Sequence, residues 1–347
     1  MVLPSTGVPG STVVPVIVIA LLVSALTCGF WIRFAAARSI ADAPGQRRMH
    51  QQVTPRGGGV GIALALLVVL AWQLRAAEPS APNLVLALSG ALAGIGFAAA
   101  AGLLDDFRQV GTAGKFLLQI IAAVCIAIPW LQPAWPAILI GVAAMVMVLV
   151  AINFWNFMDG SNGMAGTQAV LVALALAVAA HQPDTRLLAL ALMASSAGFL
   201  PFNLPRARLF MGDVGSHAIG ACLAALILWE LAERDLSLFQ AFILVSAFAM
   251  DAGLTLVRRI IRGRRFWQAH REHLYQMAIR KGFSHNQVCL AYAVWTGFAA
   301  VLTLAISTQS MSVQAGLAMA TAVLATLIYV SLRQRWLARP LRPRVRP

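Results

Sequence analysis

The chain reads as an all-α, polytopic integral membrane protein with about eleven transmembrane helices. Of its 347 residues, 60% are hydrophobic and only 11% charged, whereas a soluble domain carries about a quarter charged residues. Apolar runs close to the roughly 20 residues that cross a bilayer recur from one end to the other. Basic residues also crowd into alternate loops. These features exclude a disordered chain, a coiled coil and an ordinary cytosolic enzyme. The net charge of +14 then describes basic loops at one membrane face and no nucleic-acid surface.

The first run, Thr12–Ile32, follows a segment without a basic residue, so it is read as a span and not as a cleaved signal. Gly58–Leu74 opens on glycines, and Leu84–Leu104 stops at a pair of aspartates. Phe116–Trp130 and Trp135–Ile152 flank a short Pro-containing turn. Met164–Ala180 and Leu187–Phe202 follow, the second being short like Phe116–Trp130. Val214–Leu231, Leu238–Val257, Val288–Ser307 and Val313–Leu332 complete the set. Alternate loops hold 23 Lys/Arg on one side and 3 on the other. The positive-inside rule makes the first side cytoplasmic, the N-terminus periplasmic and the C-terminus cytoplasmic. Residues 1–338 are thus expected to form a single bundle with working cytoplasmic loops at 33–57, 105–115, 153–163, 203–213 and 258–287. The stretch 339–347 reads as a disordered basic tail suited to anionic membrane lipids. Cys28, Cys125, Cys222 and Cys289 lie far apart inside apolar runs, with no metal or disulfide spacing.

Acidic residues are scarce, and seven of the twelve (Asp42, Asp105, Asp106, Asp159, Asp213, Asp251 and Glu272) fall at inner loops or inner span ends. Carboxylates among basic loops suit a divalent cation and a phosphate-bearing substrate. Arg47, His50 and Arg56, the last followed by three glycines opening a helix, can hold phosphate or simply touch lipid head groups. Asp105 and Asp106 sit flush with an apolar helix, which is costly without a cation or proton. They point about 100° apart, so one can face a metal and the other a nucleophile. Asn153, Asn156, Asp159 and Asn162 suit either a tight turn or the reading of a polar ring and sugar hydroxyls. Asp213, between glycines at a helix start, is either an N-cap or a metal ligand. His270 and His273 share a face if their segment is helical. They lack a third zinc ligand, so hydrogen bonding from His270, Arg271 and His273 to a diphosphate is the better chemistry.

In order, these motifs are Asp-x-Pro-x-x-Arg-x-x-His with Pro-Arg-Gly-Gly-Gly, Gly-Leu-Leu-Asp-Asp, Asn-Phe-Met-Asp-Gly, Phe-Met-Gly-Asp-Val-Gly-Ser and His-Arg-x-His. The set resembles the polyprenyl-phosphate N-acetylhexosamine-1-phosphate transferases (glycosyltransferase family 4) over roughly Asp42 to Gln276. The resemblance implies a multi-pass bundle in the bacterial inner membrane with its active site on the cytoplasmic face. It implies transfer of an N-acetylhexosamine 1-phosphate from a UDP-sugar to undecaprenyl phosphate, releasing UMP, with Mg²⁺ (Mn²⁺ as a substitute). By resemblance, Asp105, Asp106, His270 and His273 are catalytic, and Asp213 with Asp105 holds the metal. Arg47, His50, Arg56, Asn156, Asp159, Asn162 and Arg271 then bind substrate. Asn162 stands where the cell-wall translocase has an aspartate, and Glu272 interrupts its histidine triplet. Both departures favour the branch that starts O-antigen and lipopolysaccharide chains over a phospho-MurNAc-pentapeptide transferase. A homodimer is compatible with this reading. The rival class is a secondary transporter, which would place ionisable residues at the midplane; only Asp251 lies well inside a span.

Overall fold

Lipid offers backbone groups no hydrogen bonds, so a chain this apolar must satisfy them within helices, and it does. The computed structural model describes residues 10–37, 41–42, 54–108, 111–130, 137–265, 268 and 270–338. The helices are α1 (Val13–Ala37), α2 (Val60–Ala76), α3 (Pro82–Arg108), α4 (Thr112–Ala127) and α5 (Ala137–Met158). They continue with α6 (Met164–Ala179), α7 (Pro183–Asn203), α8 (Gly212–Glu233), α9 (Leu238–Ile261), α10 (Leu274–Arg280), α11 (His285–Ala305) and α12 (Met311–Ala338). Each of the eleven apolar runs falls on a helix. Among the described residues nine helices are long and apolar enough to cross a bilayer, while α2 and α6 are shorter. The two runs that looked short in the sequence are of spanning length, α7 by itself and α4 together with the 3-10 turn Ile128–Trp130 that continues it. One feature departs from an all-α reading: β1 (Ala41–Asp42) pairs antiparallel with β2 (Thr54–Pro55), in the register Ala41↔Pro55.

Helix α8 is the axis of the bundle. Nearly every residue from Gly212 to Glu230 is buried, against α3 and α5 on its most extensive contacts and α2 and α7 on lesser ones. Small residues permit this closeness: a Cβ on Gly220 would lie 2.7 Å from the Ala151 carbonyl oxygen of α5. The outermost helices are apolar outward, with Leu26, Phe30, Met319 and Leu327 exposed, as a lipid solvent requires. Helices α9, α11 and α12 pack as a lateral group, joined to the rest through α5 and α6.

Candidate active site

The site forms where the segment before α2 meets the start of α8. Phe210 N–H donates to the Pro55 carbonyl at 2.8 Å, Gly58 N–H to Phe210 O at 2.9 Å and Gly59 N–H to Met211 O at 2.8 Å. A Cβ on Gly59 would stand 2.1 Å from Gly215 Cα, and one on Gly102 of α3 would stand 2.2 Å from the Asp213 carbonyl oxygen. The glycines therefore bring three backbones into contact. The Gly58 and Gly59 N–H groups, read in the sequence as able to hold phosphate, are engaged by the Phe210 and Met211 carbonyls on the segment that leads into α8.

That junction delivers Arg56, Asp106 and Asp213 to one place. The first N–H groups of a helix lack intrahelical partners, and here α3 supplies one from outside. Asp106 Oδ1 accepts from Asp213 N–H at 3.0 Å and Oδ2 from Val214 N–H at 3.2 Å. The same carboxylate lies 2.7 Å from Arg56 Nε, and its side chain is 1% exposed. Arg56 Nη2 donates to Asp213 Oδ1 at 2.8 Å. Lys115, in the opening turn of α4, bonds Asp213 Oδ2 and reaches Asp105 Oδ2 at 3.3 Å. Charges thus alternate along Asp106, Arg56, Asp213, Lys115 and Asp105. Burial disfavours the Arg56 cation, but the charges of Asp106, Asp213 and Asp105 outweigh it and raise its pKa.

Asn153 and Asn156 belong to the last turns of α5, not to a loop. Asn156 Nδ2 donates to Ser216 Oγ of α8 at 3.1 Å. Asp159, just past α5, has its carboxyl pushed well above the usual range by burial and by the charges of Asp213 and Asp106, against Arg56. Asn162 is tied through its backbone N–H to His285 Nδ1 of α11 at 3.4 Å, beside Ser161 Oγ at 3.0 Å. Behind Asp213 runs a buried polar string. His217 Nε2 lies 3.3 Å from Gln119 Nε2, and Asn153 Nδ2 donates to Gln119 Oε1 at 3.0 Å.

The last loop folds over the end of α5. His273 stacks on Phe157 with ring centroids 6.1 Å apart, and Tyr275 Oη donates to the Phe157 carbonyl at 3.0 Å. The His270 and His273 rings are 4.8 Å apart, although neither lies within a helix; His273 is the N-cap of α10. The loop, not helical spacing, makes them neighbours. Burial, with the neighbouring His273 and Arg259, pulls the His270 pKa down to about 4, so it is neutral at pH 7. Asp251 accounts for itself here: Oδ1 accepts from Leu274 N–H at 2.7 Å and Oδ2 from Tyr275 N–H at 3.2 Å and Tyr292 Oη at 2.6 Å. It caps α10 from within the bundle.

The glycosyl transferase family 4 pattern matches residues 88–230, the stretch that carries Asp105, Asp106, Lys115, Asn156, Asp159 and Asp213. Over 343 aligned residues the chain is 32% identical to the decaprenyl-phosphate N-acetylglucosaminephosphotransferase of Mycolicibacterium smegmatis, covering 86% of this chain and 84% of that protein. The chain belongs to glycosyl transferase family 4. It is also 28% identical to a probable undecaprenyl-phosphate N-acetylglucosaminyl 1-phosphate transferase of Bacillus subtilis, over 79% of this chain and 80% of that one. To the phospho-N-acetylmuramoyl-pentapeptide-transferase of Deinococcus radiodurans it is 29% identical, over 82% and 97%.

Of the family 4 residues singled out in the sequence, Asp105, Asp106, Asp213 and Arg56 meet in one charged cluster, joined electrostatically by Asp159. Asn156 touches the same helix as Asp213, while His270 and His273 approach from the α5 side. The Arg271 carbonyl accepts from Arg280 at 2.8 Å. Arg47, His50 and the tail 339–347 lie outside the described residues. Lys115 and His217 were missed. Lys115 counted only as a loop charge, yet a lysine in the first turn of an apolar helix is costly without a partner, and that was the available signal.

Proposed function

We propose that this family 4 protein transfers an N-acetylhexosamine 1-phosphate from a UDP-sugar to undecaprenyl phosphate, releasing UMP, on the cytoplasmic side of the bacterial inner membrane. The alternating cluster of Asp106, Arg56, Asp213, Lys115 and Asp105 at one end of the bundle carries this reading. Both substrates are polyanions, and transfer between them needs placement and charge neutralisation more than a strong nucleophile. The GlcNAc-phosphate transferases among the relatives favour an N-acetylhexosamine donor. The asparagine at Asn162 favours it too, and inclines the product toward an O-antigen-type envelope glycan.

The lipid phosphate oxygen attacks the sugar-linked phosphorus, and the bond to the UMP phosphate breaks. Arg56 and Lys115 face that developing charge. Asp106 has both oxygens engaged, so it positions Arg56 and α8; Asp105, at 23% side-chain exposure, is the accessible carboxylate that takes up a proton from the acceptor phosphate. His270 and His273 donate hydrogen bonds to the diphosphate. Among the described residues no group of three or more His, Cys, Asp and Glu forms a cation cage. Mg²⁺ does not need one, since it uses one or two carboxylates, water and substrate phosphates. Asp105 and Asp213 fit it: both present Oδ2 to one cation, the Lys115 ammonium. Bound there, Mg²⁺ or Mn²⁺ would supply further neutralisation of the diphosphate.

Membranes given labelled UDP-GlcNAc and undecaprenyl phosphate should place label in the lipid fraction and release UMP. EDTA should abolish this, and Mg²⁺ or Mn²⁺ but not Zn²⁺ should restore it. Label accumulating unchanged inside vesicles would mean transport and overturn the proposal. UMP release without acceptor, with label left on protein, would replace direct attack by a phospho-enzyme.

A further inference from the structure

Glu272 separates Arg271 from His273 in the last loop, and its carboxylate is occupied by arginines. Its carboxylate receives Arg259 Nη1 at 2.5 Å and Arg264 Nη1 at 2.9 Å, with Arg258 at 3.5 Å and Arg333 Nη2 at 3.7 Å. Arg333 Nη1 also donates to the Glu272 carbonyl at 2.6 Å and lies 3.1 Å from Tyr329 Oη, one turn back on α12. Tyr329 in turn sits 3.0 Å from Thr255 Oγ1 of α9. Helix α12 is otherwise largely exposed; its buried positions are Gln314, Ala318, Tyr329 and Arg333. The polar end of that short stripe meets the loop between His270 and His273.

We propose that Glu272 and Arg333 form a positioning clamp through which the last helix fixes His270 and His273 over the site. The proposal rests on the transferase reading for its kinetic arm only. Four guanidinium groups meet at one carboxylate, so removing the carboxylate leaves four like charges to separate and carry the loop with them. Burial opposes the Glu272 charge, but the Arg264 hydrogen bond and the charges of Arg259 and Arg264 outweigh it. The carboxylate therefore stays ionised below the usual range. On the other side of the loop, Asp251 holds the first N–H groups of α10. The loop is thus pinned on both sides of His273, at Glu272 and at Leu274–Tyr275, and His270 lies within the electrostatic reach of Arg259, Glu272 and Arg333. Arg333, like Glu272 and both histidines, lies beyond the residues 88–230 that match the family pattern.

The test uses the full chain, purified with lipid, as wild type, Glu272→Gln, Arg333→Met and Arg333→Lys. Misplacing a catalytic group by about 1 Å can cost on the order of a hundredfold in rate. Arg333→Met and Glu272→Gln should therefore lose about tenfold or more in kcat, with KM for the UDP-sugar nearly unchanged. Arg333→Lys should recover part of the loss. Amide exchange at Leu274 and Tyr275 should rise in both losing variants, and this readout needs no substrate. Wild-type kcat and exchange in Arg333→Met would overturn the clamp, as would a raised KM at constant kcat in Glu272→Gln, which would give Glu272 to the substrate. If Arg333→Met does not fold, exchange in Glu272→Gln decides instead, and unchanged exchange there overturns the clamp. A wild-type protein without transfer activity would sink the transferase reading, while the exchange data would still decide the clamp.

Discussion

The carboxylates of the site divide by what they touch. Asp106 satisfies two α8 N–H groups and Arg56, whereas Asp105 and Asp213 share Lys115. Asp105→Asn and Asp213→Asn should each lower turnover by about a hundredfold or more, the scale of a general-acid–base role or greater, Asp105→Asn with unfolding unchanged. Asp106→Asn should lose activity and also lower the melting temperature, because an amide can accept only part of what the carboxylate accepts. Lys115→Met should resemble Asp213→Asn. Steady-state rates beside melting curves for the four variants check this set, and a wild-type rate in any of them removes that residue. Asp159 gives a pH signature. Its folded-state carboxyl keeps its proton to higher pH than in the unfolded chain, so across the window above the ordinary value of about 3.9 the folded state binds more protons. Stability should therefore fall as pH rises through that window, and Asp159→Asn should flatten the profile. Parallel melting-versus-pH curves for the two proteins would refute this. The acids were legible in the sequence because they are rare and costly among apolar runs. Lys115 and His217 were not, since their meaning comes from partners about a hundred residues away.

Among the elements, α10 has only seven residues, too few to stand by propensity alone. Its first N–H groups depend on Asp251. Hydrogen bonds to a charged group contribute about 1.5–3 kcal/mol each, so Asp251→Asn should loosen α10 and the adjoining histidines. Faster exchange at Leu274 and Tyr275 and a lower kcat are the expected outcome. Unchanged exchange would show that packing of Tyr275 suffices. The long helices were readable because an apolar run announces a span, yet their ends were not. Asn153–Met158 continue α5 and Arg333–Ala338 continue α12, since a helix runs past the point where its residues turn polar. Neither α10 nor the β1–β2 ladder has enough residues to show a period. Both are imposed by the elements around them. Asp251 shows the same limit in another way: a carboxylate within a span had no role legible in the sequence, and its partners give it a structural one.

For the whole molecule, the uneven distribution of basic residues makes the orientation testable. Ser80 precedes α3 and Arg262 follows α9, and both are exposed. In intact spheroplasts an impermeant maleimide should label Ser80→Cys at once and Arg262→Cys only after lysis; the reverse order would invert the bundle. Of the native thiols, Cys28, Cys222 and Cys289 are buried, and the half-buried Cys125 of α4 is replaced by Ala for this measurement. The meeting of α2, α3 and α8 was the least legible feature, because glycines in an apolar run look like any small residues until their neighbours are known. It also limits how such a chain can diverge. Lipid-facing positions such as Met319 and Leu327 can drift among apolar side chains with little consequence. At Gly59, Gly102 and Gly215 a single methyl group meets backbone, so the commonest glycine replacements there are eliminated by collision. Neutral change is therefore channelled outward, and the seam around Asp213 should outlast the rest of the sequence as its lineage ages.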